Sequence, residues 1–100
     1  MVELEVRLPS GADFVRTVDA VEACAARLRL LTRMKGTLAG FPGCVHWHFK
    51  RGRERGTLEV TWWPRERRLW LSVQAGRTAG WIEATAADLR AALEDPAVWR

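Results

Sequence analysis

The chain has 100 residues, 48% of them hydrophobic, and its 16 basic and 12 acidic residues give a formal net charge of +4. A chain of this length buries one hydrophobic core, so we expect a single domain over residues 1–100. No stretch approaches the roughly 20 consecutive apolar residues of a membrane span, and two cysteines are too few for a disulfide framework. These features argue against a membrane partner and a disulfide-rich secreted domain, and we expect a cytoplasmic protein.

The first predicted elements are a strand and a helix. Residues 2–8 alternate apolar and polar side chains, which is the period of a half-buried strand, and Pro9 ends it. Ser10 followed by Asp13 is typical of a capping box. Apolar residues then recur every three or four positions and predict a helix that runs to about Lys35. Its apolar stripe consists of Phe14, Val18, Val21, Ala25, Leu28, Leu31 and Met34.

Three further strands are predicted between Cys44 and Gln74. Apolar and polar residues alternate over 44–50, 57–63 and 68–74, and the connections RGRERG and PRER contain the Gly and Pro of tight turns. One face of these strands is apolar and is predicted to face the core. Its residues are Val45, Trp47, Phe49, Leu58, Val60, Trp62, Leu69, Leu71 and Val73.

The last predicted element is a helix, which follows a loop over 75–80. Trp81 and Ile82 form either a short fifth strand or the lead-in to this helix, which Thr85 and Asp88 cap. We therefore predict an α+β domain of order β-α-β-β-β-(β)-α, with a four- or five-stranded sheet and both helices packed on one face. The pattern leaves open whether the first strand pairs parallel with the second or lies beside the last.

The opposite face of the predicted sheet carries an unusual set of side chains. If both hairpins close symmetrically about their turns, cross-strand rows form on this face. The rows are Cys44, Trp63 and Arg68, then His46, Thr61 and Trp70, then His48, Glu59 and Ser72. Indoles, imidazoles, a thiol and a carboxylate on a face expected to be open to solvent indicate a functional surface.

This open face predicts a binding function without catalysis. Flat aromatic rings stack on unpaired bases and arginines contact phosphates, so nucleic acid is a candidate partner. The segment from Lys50 to Arg68 holds seven basic and three acidic residues, an excess equal to the net charge of the whole chain. The predicted binding residues are His46, His48, Thr61, Trp63, Arg68, Trp70, Lys50, Arg51, Arg53 and Arg55.

Self-association is a second use of the same face. An apolar patch on a small sheet is commonly covered by its symmetry mate, and Trp and Arg are favoured at interfaces. Trp63 and Trp70 therefore predict a homodimer. Such a dimer is compatible with nucleic-acid binding by the arginine-rich turns.

A metal- or small-ligand site centred on His46 and His48 is the alternative. Cys44, His46 and His48 alternate on one strand face with Glu59 opposite His48, and all these side-chain types bind zinc. Cβ atoms two apart on a strand are about 6.5 to 7 Å from one another, so an adjacent pair chelates more readily than Cys44 with His48. No phosphate loop or hydrolase motif is present. The leading prediction therefore includes no cofactor, no bound metal and no catalytic residue.

Overall fold

Over the residues that the structure describes, the chain forms a five-stranded sheet and two α-helices. The computed structural model describes residues 2–73 and 80–100. Short 3-10 helices span Pro64–Glu66 and Pro96–Trp99. In chain order the main elements are β1 (Val2–Val6), α1 (Phe14–Arg27), β2 (Leu31–Gly36), β3 (Val45–Lys50), β4 (Leu58–Trp63), β5 (Arg68–Val73) and α2 (Gly80–Glu94). Gln74, predicted to end a strand, and most of the loop predicted over 75–80 lie outside the described residues.

The sheet has the strand order β1-β5-β4-β3-β2, and every neighbouring pair is antiparallel. β1 lies beside β5, with Val6 opposite Leu69, which resolves the position that the pattern left open. Both predicted hairpins close symmetrically, because His46 lies opposite Thr61 and Thr61 lies opposite Trp70. The predicted α+β class is confirmed, as are the rows His46–Thr61–Trp70 and His48–Glu59–Ser72. In the remaining row Trp63 lies opposite Arg68, whereas Cys44 precedes β3.

The apolar face of the sheet forms the core together with both helices. Of the nine residues predicted for that face, eight are buried, and Val45 packs against them while half-buried. Val21 of α1 and Leu89 of α2 are fully buried in the same cluster. Each large apolar side chain that is buried in this way stabilises the fold by roughly 1.5 to 3 kcal/mol. The helices therefore cover one face only, as predicted.

The predicted first helix is too long, because its last part is a strand. α1 ends at Arg27 with Leu28 as its C-cap, and Arg29 follows in a left-handed conformation with φ 62°. A left-handed residue cannot continue a right-handed helix, so the chain reverses there. The next residues form β2, which pairs with β3 at the edge of the sheet. The prediction of a helix to Lys35 is wrong.

A β-bulge explains why β2 has the spacing of a helix. Its register with β3 shifts between Thr32 and Met34, where β2 contains an extra residue. Leu31 lies opposite Lys50 and Met34 lies opposite His48, so residues three apart share one face. A spacing of three is typical of a helix. Here the bulge produces the same spacing in a strand.

Neither helix begins next to the residue that was predicted to cap it. Asp13 is the N-cap of α1 instead of Ser10, and its carboxylate accepts a hydrogen bond from the backbone N–H of Arg16 at 2.8 Å. The cap predicted at Thr85 is wrong, because α2 already begins at Gly80 and Thr85 is buried within it.

The turn between β3 and β4 packs on the first turn of α2. Trp81 and Ile82 lie in this helical turn instead of a short strand. The Trp81 indole N–H donates to the carbonyl oxygen of Arg55 at 2.6 Å. Gly56 has φ 91°, and a Cβ at this residue would lie 2.5 Å from Ile82 Cδ1. Only glycine fits both the backbone and the space at this contact.

Replacement of Gly56 by alanine should lower the free energy of unfolding by roughly 2 to 4 kcal/mol. A left-handed non-glycine residue costs about 1 to 2 kcal/mol, and the overlap with Ile82 adds a comparable amount. Gly43 also has a positive φ, 80°, but no atom lies within 4 Å of where its Cβ would be. Gly43→Ala should therefore lower the unfolding free energy by the backbone cost alone. Gly40→Ala has neither problem and is the control. Equal urea-unfolding losses for Gly56→Ala and Gly43→Ala would contradict the packing of this turn on α2.

Candidate metal centre

A loop covers one half of the sheet face that was predicted to be open. Residues 37–44 connect β2 to β3, and the Phe41 ring packs edge-on against Trp63 and Trp70 with centroids 5.0 and 5.2 Å apart. Trp70 is 3% exposed, and Trp63 is half-buried. The expectation of an open aromatic face is therefore wrong at Trp70. The indole predicted to stack on bases lies under the loop.

One hydrogen bond joins this loop to the sheet, and others lie within the loop. The Trp63 indole N–H donates to the carbonyl oxygen of Pro42 at 3.1 Å. The backbone N–H of Leu38 donates to Cys44 Sγ at 3.3 Å, and Cys44 is buried. The backbone N–H of Cys44 in turn donates to the carbonyl oxygen of Phe41. The loop is thus closed on itself near Cys44 and fixed to β4 through Trp63.

Arg68, predicted to contact an anionic partner, pairs with a carboxylate of the same sheet. Its guanidinium forms an ion pair with Glu5 of β1 and lies 4.6 Å from the centre of the Trp70 ring. A planar guanidinium over an aromatic face gains a cation–π interaction as well as the ion pair. Arg68 therefore closes the aromatic half of the face from the β1 side.

The other predicted basic residues lie around the β3–β4 turn. Arg51 pairs with Glu54 across 3.6 Å, both at the surface. Arg53 and Arg55 are exposed in the same turn, and Lys50 is half-buried at the end of β3. The exposed basic surface among the predicted binding residues is therefore this turn, separate from the tryptophans.

The other half of the face brings two imidazoles and a carboxylate together. His46 and His48 are two residues apart on β3 and point to the same side, while Glu59 of β4 lies opposite His48. The Nε2 atoms of the two histidines are 3.1 Å apart. Glu59 Oε1 lies 3.1 Å from His46 Nε2 and 3.5 Å from His48 Nε2. Among residues 2–73 and 80–100, this is the one group of three metal-ligating side chains that converge.

The Thr61 hydroxyl holds the His46 ring from behind. Its Oγ1 lies 2.7 Å from His46 Nδ1, and His46 is 4% exposed. A polar partner on the far ring nitrogen fixes the direction of Nε2, which is the support that metal-binding histidines commonly have. The side chains of His48 and Glu59 are 37% and 25% exposed. The cluster is therefore anchored at His46 and reaches solvent at His48.

The surroundings of His46 favour its neutral form. Burial lowers the pKa of His46 below its ordinary value, and the nearby His48 acts in the same direction, while the charge of Glu59 opposes the shift. The neutral imidazole has a free lone pair, and this is the form that binds a metal ion. His46 is therefore neutral at neutral pH, and its Nε2 carries the lone pair when Nδ1 holds the proton.

The tautomer of His46 decides what its Nε2 offers to this cluster. With the proton at Nε2, His46 donates to Glu59 Oε1 and the Thr61 hydroxyl donates to Nδ1, which is an ordinary hydrogen-bonded arrangement. When His46 is protonated at Nδ1 toward Thr61, its Nε2 lone pair faces Glu59 Oε1 across 3.1 Å. A cation placed among the three atoms would accept all three lone pairs at once.

The spacing of the three atoms fits one face of a zinc tetrahedron. Zinc binds imidazole nitrogen at about 2.0 to 2.1 Å and carboxylate oxygen at about 2.0 to 2.2 Å, which places tetrahedral ligand atoms about 3.3 Å apart. The observed separations of 3.1, 3.1 and 3.5 Å bracket this value. Little movement of the side chains would therefore be needed to hold an ion.

Three of the four metal-ligating residues that the sequence singled out lie in this cluster. Cys44 does not belong to it, and its sulfur contacts the loop instead. Two residues near the site were missed. Met34, opposite His48, was assigned to a helix, and Phe41 lies in a loop where no periodic pattern indicates its direction.

The chain matches no protein-family model, no curated protein and no solved structure. In the described ranges, neither helix has the length and the apolar content that crossing a membrane requires.

Replacement of Phe41 by alanine should uncover the aromatic half of the face. Because Phe41 contacts both Trp63 and Trp70, we expect stronger quenching of tryptophan fluorescence by acrylamide. The unfolding free energy should fall by roughly 1 to 3 kcal/mol, less than for a fully buried phenylalanine. Phe14→Ala, at an exposed position of α1, is the matched control. Equal quenching of the two variants would show that Phe41 does not shield the indoles.

Proposed function

We propose that the protein binds a divalent transition-metal ion, with zinc as the reference ion. The ligands are Nε2 of His46, Nε2 of His48 and the carboxylate of Glu59. The mutual approach of these three atoms, at 3.1 to 3.5 Å, is the observation that carries the proposal. The buried hydroxyl of Thr61 supports it, because it holds the His46 ring in the direction that binding requires.

The fourth coordination position faces solvent in this proposal. His48 and Glu59 are partly exposed, so an ion enters from their side without disturbing the core. Zinc sites with three protein ligands keep a water or another exchangeable ligand in the fourth position. The protein therefore acts as a metal-binding domain whose ion remains accessible to a small molecule.

The fold itself does not depend on the ion. The apolar core lies on the opposite face of the sheet and is built from eight of the nine residues predicted for it, together with both helices. Small zinc domains that lack such a core unfold without metal. This protein should instead remain folded when its metal is removed, and the metal should add stability to an existing structure.

Nucleic-acid binding, homodimer formation and a cytoplasmic location stay hypotheses for the same chain. The surface that remains for a nucleic acid or a second copy of the chain differs from the one predicted, because Trp70 lies beneath Phe41 and Arg68 pairs with Glu5. Contact with phosphates would use the exposed turn from Arg51 to Arg55. Nucleic-acid binding and dimer formation rank below metal binding, because Trp63 and Trp70 already make their contacts within the chain.

Metal-stripped protein should bind one equivalent of zinc in isothermal titration calorimetry. His46→Ala and Glu59→Gln should each weaken zinc binding by about 100-fold or more, since even the loss of an outer-shell partner costs 10- to 100-fold. Glu54→Gln, which removes an exposed carboxylate of the β3–β4 turn, is the matched control. Absence of zinc binding in the wild type, or equal weakening in Glu54→Gln and Glu59→Gln, would refute the site.

A further inference from the structure

Met34 occupies a position beside the proposed metal centre because of the bulge in β2. Thr32 lies opposite Phe49, so in a regular ladder the next residue, Arg33, would lie opposite His48. The bulge places Met34 there instead. Bulges are common next to functional sites, where they redirect one side chain. The bulge therefore places the neutral thioether of Met34 opposite His48 in place of the cationic Arg33, which would repel a metal ion.

The Met34 side chain extends along β2 toward Gly36, the residue opposite His46. Gly36 lies opposite His46, and Met34 Sδ lies 3.4 Å from the position that a Cβ on Gly36 would take. Cβ positions of directly opposed residues are about 4.5 to 5.5 Å apart, so the sulfur lies along the row that contains the His46 ring. The absence of a side chain at Gly36 leaves this space to the thioether. Met34 is 39% exposed, so its flexible side chain can still move.

We propose that the centre also binds copper(I), with Met34 replacing Glu59 as the third ligand, and that this thioether makes the centre selective for copper(I) over zinc. This inference rests on the metal site proposed above. A thioether is a soft, neutral ligand that favours copper(I), whereas zinc takes nitrogen, oxygen and thiolate ligands. With the imidazoles of His46 and His48, the thioether would give copper(I) three ligands that it accepts well. The carboxylate of Glu59 would bind divalent zinc more strongly than monovalent copper(I).

The test compares copper(I) and zinc in the same variants. Copper(I) affinity is measured by competition with bicinchoninate under anaerobic conditions with ascorbate, and zinc affinity by competition with a chromophoric chelator. Met34→Leu keeps the size of the side chain and removes the sulfur. It should weaken copper(I) binding by roughly tenfold or more and change zinc binding by less than about threefold. Leu31→Ala, at an exposed position on the same face of β2, is the control and should change neither affinity.

A second variant tests the position independently of any loss of packing. Met34→His replaces the thioether by an imidazole and should shift the preference toward zinc, with tighter zinc and weaker copper(I) binding. X-ray absorption at the copper edge should show a sulfur neighbour in the wild type that is lost in Met34→Leu and kept in Cys44→Ser.

The possible results separate the two proposals. Wild-type protein that binds zinc, with copper(I) affinity unchanged in Met34→Leu, would overturn the role of Met34 and leave the metal centre intact. Parallel losses of copper(I) and zinc affinity in Met34→Leu would also overturn it, since they would reflect packing. Wild-type protein that binds neither ion would overturn the centre itself and the role of Met34 with it.

Discussion

The register between β3 and β4 is the constraint on which both faces of the sheet depend. Because side chains alternate along a strand, the pairing of Trp47 with Val60 in the core also sets His48 opposite Glu59 on the other face. A slip of one residue would expose the core and bury the histidines beneath the helices. Burial of the apolar face therefore holds the two strands in the register that brings the imidazoles and the carboxylate together. The ligands are positioned by the core, which needs no metal to form.

The sheet face opposite the core has a buried half and a partly exposed half, and the proposed centre lies at their boundary. Phe41 covers Trp70, and the row from Trp70 through Thr61 leads to His46. His46 is buried and contacts the buried Thr61, whereas its other two partners, His48 and Glu59, remain partly exposed. This arrangement combines one fixed ligand with two that can adjust to an ion. A nearby region of low dielectric also strengthens the attraction between a cation and the carboxylate.

The parts of the fold that follow from local periodicity could be predicted from the sequence. Strand alternation and short turns were sufficient to pair His46 with Thr61 and His48 with Glu59, as the structure has them. β2 could not be predicted, because its bulge gives Leu31 and Met34 a helical spacing within a strand. A regular pattern assumes a regular ladder, and the extra residue of the bulge breaks that assumption.

The environment of the site depends on contacts between distant parts of the chain, which periodicity does not encode. Trp70 is buried because a loop almost 30 residues earlier places Phe41 over it, and no alternating pattern indicates that contact. Strand spacing centred the candidate site on His46 and His48, but the sequence alone could not show that Glu59 joins them while Cys44 does not. Cys44 belongs to the same strand face by parity, yet its sulfur serves the loop.

Anomalous diffraction from crystals grown with zinc tests the metal centre most directly. The account predicts one strong zinc peak, within about 2.0 to 2.2 Å of His46 Nε2, His48 Nε2 and a Glu59 carboxylate oxygen. The Thr61 hydroxyl should remain bonded to His46 Nδ1. A peak at another group of residues, or no peak between the two histidines at saturating zinc, would contradict it.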